Sequence, residues 1–187
     1  KDTVDFVIAA TGVLHHPVFP DIEGLGTFEG DCFHSAQWDH DAKLEGKRIG
    51  IIGTGSTAIQ IVPAIIDDVE KVSLFQRTPQ WVLPLPNPDF TEEEKAAFRD
   101  SPEEMENIYN TARDHFAGSF SEAVIGDQTQ RDEIQQLCEG NLNTVKDPEL
   151  REKLTPNYQA MCKRLIMSDD FYPAIQKPNA HVVTEGI

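Results

Sequence analysis

Residues 48–77, reading RIGIIGTGSTAIQIVPAIIDDVEKVSLFQR, leave few folds open to this chain. Ile49-Gly50-Ile51-Ile52 runs without a polar break, the pattern of a strand buried on both faces of a parallel sheet. The turn that follows, Gly53-Thr54-Gly55-Ser56-Thr57-Ala58, spells G-x-G-x-x-A. Its first glycine permits a tight turn and its second lets a pyrophosphate approach the backbone. The small Ala58 lets the next helix lie close on the strand. Apolar residues at Ile59, Val62, Ile65, Ile66 and Val69 then recur with helical spacing. Lys71 to Phe75 alternates polar and apolar residues and predicts a second strand. Strand, glycine turn, helix and strand within about 30 residues make a βαβ dinucleotide unit. The expected fold class is therefore α/β, a Rossmann-like domain with a parallel sheet.

The end of the second strand discriminates between coenzymes. A site for NAD places a carboxylate about 20 residues after the glycines, where it accepts hydrogen bonds from the ribose hydroxyls. Here Gln76-Arg77-Thr78 stands at that place, without an acid. The Arg77 guanidinium suits the 2′-phosphate of NADP(H), and the Thr78 hydroxyl adds a neutral hydrogen bond. Read alone, Arg77 is a surface arginine at a strand end; after this turn, NADP is the expected ligand.

At 187 residues the chain is long enough for one domain with a sizeable core, or two lobes. A net charge of -16 argues against nucleic acid as a partner, since phosphate backbones call for Lys and Arg stripes. The three cysteines, Cys32, Cys138 and Cys162, are widely spaced with no CxxC pair, which fits a reducing cytoplasm and disfavours a disulfide framework, a zinc site or a redox dithiol. No apolar run approaches the roughly 18 residues of a membrane span. The sequence opens on Lys-Asp-Thr and ends on Gly186-Ile187, which suggests a piece of a longer protein.

Elsewhere the spacing is less specific. Val4 to Ala10 reads as a buried strand running into Thr11-Gly12, a triplet with Ala10 that alone indicates an ordinary strand-to-loop turn. His15 and His16 precede a proline-stiffened stretch; without further ligands at suitable spacing they read as loop residues, and no metal is expected. The segment from Pro79 to Pro88 reads as an extended surface crossing. Thr91-Glu-Glu-Glu94, Ser101-Pro102 and Asp147-Pro148 look like helix starts. Phe116, Phe120 and Val124, at i, i+4, i+8, form a stripe that either packs into a core or interface or caps a channel. Lys163-Arg164 alone reads as a pair of surface cations. Ser168-Asp169-Asp170 reads as a cap for a short helix carrying Phe171 and Ile175, and His181 to Thr184 as a strand.

Residues 28–39 resist decoding from spacing: Phe28 and Trp38 look like loop anchors and His34 like a hydrogen-bonded partner. Together Phe28, Gly30, His34, Trp38 and Asp39 spell F-x-G-x-x-x-H-x-x-x-W-D. This resembles the fingerprint of the Baeyer–Villiger monooxygenases, a branch of the class B flavoprotein monooxygenases, and its final Trp-Asp sets that branch apart from the flavin-containing and N-hydroxylating relatives. The resemblance extends further. Ala10-Thr11-Gly12 is similar to the family's ATG element between the FAD and NADP domains. Gly53, Gly55 and Ala58 match its second dinucleotide turn, and Phe75 to Pro79 its grip on the 2′-phosphate. Cys162-Lys163-Arg164 resembles a segment whose lysine contacts that phosphate and whose arginine enters the active site beside the flavin.

The resemblance implies an enzyme that uses NADPH, FAD and dioxygen to convert a ketone into an ester or lactone, with Arg164 as a fixed charge that stabilises the anionic oxygens of the reaction. His34 would belong to a linker that moves between domains. The family's own FAD turn is missing, so the FAD site would lie mostly outside this chain, with the missing FAD domain as its partner and no turnover by the chain alone. The implied organisation is residues 1–47 as linker with the ATG element and fingerprint, 48–90 as Rossmann core, 91–155 as a helical insertion, and 156–187 as a return to the NADP-binding domain. Two other readings stay open: a sister flavin-containing monooxygenase oxidising nitrogen or sulfur, and a non-catalytic NADP-binding module.

Overall fold

A computed structural model describes residues 3–12, 14 and 16–187. His15 lies outside the described residues. The chain divides into two compact units, one of residues 1–43 with Ile187 and one of Leu44–Gly186, and each is described by itself.

The larger unit is α/β, as its sequence predicts. Its sheet has the order β1-β2-β5, with β1 (Arg48–Ile52), β2 (Lys71–Phe75) and β5 (Ala180–Val183) all parallel. Ile51 faces Leu74 and Leu74 faces Val182, so one apolar row crosses the sheet. Helix α1 (Ser56–Ile65) connects the first two strands. The predicted stripe is buried: Ile59, Val62, Ile65, Ile66 and Val69 all enter the core with Val72 and Leu74. Each such side chain contributes about 1.5–3 kcal/mol when fully buried. Pro63 lacks an amide for the helix ladder, and α1 ends two residues later. Asn179 closes that end: its Nδ2 donates to the carbonyls of Ile66 (2.9 Å) and Val69 (3.1 Å), tying the approach to β5 onto the residues that follow the helix.

A second, two-stranded parallel sheet joins β3 (Val82–Leu83) to β4 (Ile166–Met167). This corrects the reading of Pro79 to Pro88 as a surface crossing. Trp81, Val82 and Leu83 are buried, because a partner some eighty residues away in sequence covers them, and local proline content carries no trace of it.

Between the two strands of that sheet lie helices α2 (Glu92–Asp100), α3 (Pro102–His115), α4 (Ser121–Ile125), α5 (Gln128–Leu142) and α6 (Pro148–Leu154), with a π-helical turn over Phe116–Phe120. Thr91 caps α2 in a capping box with Glu94, and Asp147 accepts from the amides of Glu149 and Leu150 at the start of α6. Ser101 starts α3 without a side-chain bond, leaving Pro102 to set the first turn. Ile134, Cys138 and Leu142 of α5 reach the core. Of the stripe Phe116, Phe120 and Val124, Phe120 is half-buried against that core and the other two are exposed. Phe116 is 43% and Val124 63% exposed, and the Phe116 and Phe120 rings lie 5.4 Å apart between centroids. The π-helical turn adds a residue to the helical period, so Phe116 and Val124 no longer share the core-facing side with Phe120. Helix α7 (Phe171–Ile175) is capped by the Ser168 hydroxyl, which accepts from the Phe171 amide at 3.0 Å.

Two further expectations are corrected. Strand β1 is not buried on both faces: within this unit it is an edge strand, and Ile52 is 51% exposed. Val4 to Ala10 forms no strand; Phe6 and Ile8 are 89% and 91% exposed, because no strand among the described residues pairs with them.

Candidate functional site

The glycine turn sits at the carboxyl end of β1, where open α/β sheets bind ligands. Gly53 adopts φ +109, a conformation that a side chain strains, and its amide donates to the Phe75 carbonyl at 3.0 Å. Gly55 caps α1 with no side chain to satisfy the first-turn amides, and a Cβ placed on it would meet nothing within 4 Å. Open space and amides at a helix start together form a seat that fits a diphosphate. Ala58 is buried, as close packing of helix on strand requires. Ser56 is half-buried and Thr57 exposed at the mouth of the turn.

Thr54 is buried, and its hydroxyl donates to the carbonyl of Thr78 at 2.7 Å. The glycine turn and the strand-end segment, 24 residues apart, are therefore bonded directly. Gln76, also buried, fixes that segment from the other side: its amide donates to the Val183 carbonyl (2.8 Å) and its Nε2 to the Lys153 carbonyl (2.7 Å). Arg77 is left exposed and Thr78 half-buried beside the turn, a placement that suits an anionic group on the ribose.

Lys163 and Arg164 lie exposed in the loop before β4, which enters them through Met161 at φ +71. The Lys163 ammonium sits 4.5 Å from the centroid of the Tyr158 ring. The Tyr158 hydroxyl lies 3.1 Å from the Pro79 carbonyl and 2.9 Å from Gln80 Oε1. The Trp81 indole donates to the Tyr158 carbonyl at 2.6 Å. Tyr158 thus bridges the Lys163 loop and the segment that carries Arg77 and Thr78. Sequence reasoning passed over it, since nothing in its spacing marks a tyrosine 77 residues beyond Trp81 as that tryptophan's partner.

The fingerprint belongs to the smaller unit. Gly30 lies under the Phe28 ring, where a Cβ would fall 2.7 Å from a ring carbon, so the glycine lets the ring lie flat over the backbone. Phe28 is 64% exposed and is no anchor on a core, contrary to expectation. Trp38 packs edge-on against Phe33, with centroids 5.1 Å apart. His34 does find a partner: its Nδ1 accepts from the Ala36 amide at 3.0 Å. Asp39 accepts from the Asp41 amide at 2.9 Å, closing a turn. Thr11 and Gly12 are exposed, Gly12 at φ +81. No group of three metal-binding side chains occurs among the described residues. A hollow of about 590 Å³ between Lys146, Leu150, Pro173 and Lys177 contains none of the expected site residues.

The chain is similar to known flavin-binding monooxygenases. The flavin-binding monooxygenase-like family model matches residues 1–87. Over all 187 residues the chain is 46% identical to an uncharacterized monooxygenase of Mycobacterium tuberculosis, of which it spans 38%. It is 42% identical over 190 residues to a Baeyer-Villiger monooxygenase of Streptomyces coelicolor, a match covering 99% of this chain and 36% of that protein. Among solved structures, cyclohexanone monooxygenase from Rhodococcus sp. Phi1 bound to NADP+ superposes with a TM-score of 0.70 at 30% identity, over 89% of this chain and 38% of that one. OTEMO in complex with FAD and NADP gives 0.72 at 27% identity, over 93% and 40%. The chain therefore spans well under half the length of the proteins it matches.

Proposed function

We propose a role for the chain from its similarity to a Baeyer–Villiger monooxygenase, which runs over 99% of this chain at 42% identity. It supplies the NADPH-binding part of a flavin-dependent monooxygenase that inserts one atom of dioxygen into a ketone, giving an ester or lactone. The observation that carries this reading is the Thr54–Thr78 hydrogen bond, which holds an NADP-type strand end against a diphosphate-binding turn.

In this reading the amides at the start of α1, opened by Gly53 and Gly55 and lined by Thr54, Ser56, Thr57 and Ala58, take the coenzyme's diphosphate. Arg77 pairs with the 2′-phosphate through its planar fork of donors, Thr78 adds a hydroxyl, and Lys163 adds a second positive charge. The coenzyme supplies a hydride when bound. Arg164 would present a positive charge to negative oxygens that form in the reaction.

FAD carries the oxygen chemistry in this account, and the residues present do not fit it. The sequence holds a single glycine turn of the G-x-G-x-x-A type, and that turn reads as the NADP site. Thr11 and Gly12 are the residues we assign to the border of the FAD domain. That domain is the partner this chain works against, and the chain by itself is a coenzyme-binding module. Phe28, Gly30, His34, Trp38 and Asp39 serve the linker between the two. The three cysteines are all free thiols, which suits a reducing cytoplasm, and among the described residues no helix is long and apolar enough to cross a membrane.

The test uses the purified full-length protein, supplied with NADPH, dioxygen and a panel of small ketones. Mass spectrometry should find products heavier by one oxygen, with little hydrogen peroxide. NADPH consumed only into peroxide, or oxygen transferred only to amines and sulfides, would overturn the ketone assignment.

A further inference from the structure

We infer that Tyr158 is a positioning residue for coenzyme choice: it holds the Lys163 ammonium and the Arg77–Thr78 segment in one arrangement, so that both cations meet the same phosphate. The inference rests on the 2′-phosphate reading above and adds to it the residue that assembles the two halves of the phosphate grip.

Three observations carry it. Lys163 stands over the Tyr158 ring at 4.5 Å, within the range in which a cation is attracted to an aromatic face. The same side chain places its hydroxyl against the Pro79 carbonyl and Gln80 Oε1, immediately after Thr78. Its backbone carbonyl accepts from the buried Trp81 indole, so the residue is fixed at both ends.

The loop it belongs to is held for the purpose. Ala160 donates its amide to Gln135 Oε1 on α5 at 2.7 Å, and Cys162 donates to the Gln159 carbonyl at 3.1 Å. Between them Met161 takes a left-handed backbone, φ +71, which a methionine adopts only where its surroundings enforce it. A lysine on a free loop would spend most of its time in other rotamers. A lysine seated on a ring that is bonded to Pro79 and Gln80 keeps its charge on the side of the strand-end segment, and the cost of ordering it is met before the coenzyme arrives.

The experiment compares NADPH, NADH, 2′,5′-ADP and 5′-AMP as ligands of the full-length protein by calorimetric titration. The variants are Tyr158→Leu, Tyr158→Phe, Lys163→Ala and the Tyr158→Leu/Lys163→Ala double variant, each checked for cooperative melting. Tyr158→Leu is expected to weaken NADPH and 2′,5′-ADP about two- to fivefold, the size of an exposed cation–ring contact, while NADH and 5′-AMP hold. In the Lys163→Ala background the same change should add no further selective loss. Tyr158→Phe keeps the ring and removes the hydroxyl tie; a selective loss of about twofold is expected, and it carries the test if the leucine variant does not fold. Equal weakening of both coenzymes, or no change in their ratio, would overturn the positioning role while leaving the phosphate site standing. A Lys163→Ala variant that keeps its full NADPH preference would instead remove Lys163 from the phosphate site, and the inference with it.

Discussion

Thr54 and Thr78 are joined by one hydrogen bond of 2.7 Å, hydroxyl to carbonyl, and that bond fixes the glycine turn to the loop that leaves β2. It is part-buried, so replacing the hydroxyl leaves the carbonyl with only the longer, 3.5 Å bond from Gln80 Nε2. Thr54→Val keeps the shape of the side chain and is expected to cost about 1–3 kcal/mol in chemical denaturation. NADPH should bind more weakly to the same variant in titration. A variant as stable as the parent, with unchanged NADPH affinity, would show that the bond does not organise the site.

Gln76 offers a matching test of the sheet's other flank. Its Nε2 reaches the Lys153 carbonyl at 2.7 Å from a position 6% exposed. Gln76→Leu should lower the denaturation midpoint by an amount equivalent to about 1–3 kcal/mol, with the denaturant slope unchanged. An unaltered midpoint would mean that the end of α6 finds another donor.

The thiols should separate cleanly. Burial, with Glu139 adding to it, pushes Cys138 from an ordinary value of 9.0 up to about 12, whereas Cys32 and Cys162 are exposed. Iodoacetamide near pH 8 should therefore label Cys32 and Cys162 and spare Cys138 until the protein unfolds, as peptide mass mapping would read. The sign for stability follows from the same shift. Above pH 9 the unfolded chain releases the Cys138 proton while the folded chain keeps it, so stability falls as the pH rises towards about 12. Tyr172 acts in the same direction, since burial raises its hydroxyl as well and that hydroxyl has no hydrogen-bond partner among the described residues. Stability constant across this alkaline window would contradict both placements.

Arg164 carries the assignment closest to the chemistry. In the full-length protein Arg164→Ala should leave reduction of the flavin by NADPH largely intact and lower ester formation by about a hundredfold or more. Stopped-flow absorbance reads the first and product analysis the second. Failure of reduction itself would contradict the role proposed for this arginine.

How much of this was legible depended on where each partner lies in the sequence. The βαβ unit could be read because its signals are local: the glycines, the apolar stripe of α1 and the alternation of β2 fall within 30 consecutive positions, 48–77. The caps at Thr91 and Asp147 were legible for the same reason. Residues 81–83 were misread because their cover, Ile166 and Met167, is supplied from far along the chain. The stripe at Phe116 was legible in part: Phe120 packs against the core, while a π-helical turn breaks the period for Phe116 and Val124. Val4 to Ala10 has strand composition but no pairing edge among the described residues, and composition alone does not make a strand. In the site, the residues proposed to touch the coenzyme left a mark in the motif. Those that hold them in place, Tyr158 and the amide of Gln76, left none, since their roles exist only once distant segments meet.

The most direct measurement titrates NADPH and NADH separately into the full-length protein and its Arg77→Ala variant. The account predicts that the variant loses roughly 1.5–3 kcal/mol of NADPH affinity, a charge-assisted contact, while NADH binding is nearly unchanged. Equal losses for the two coenzymes, or none for either, would contradict an NADP site at the end of β2.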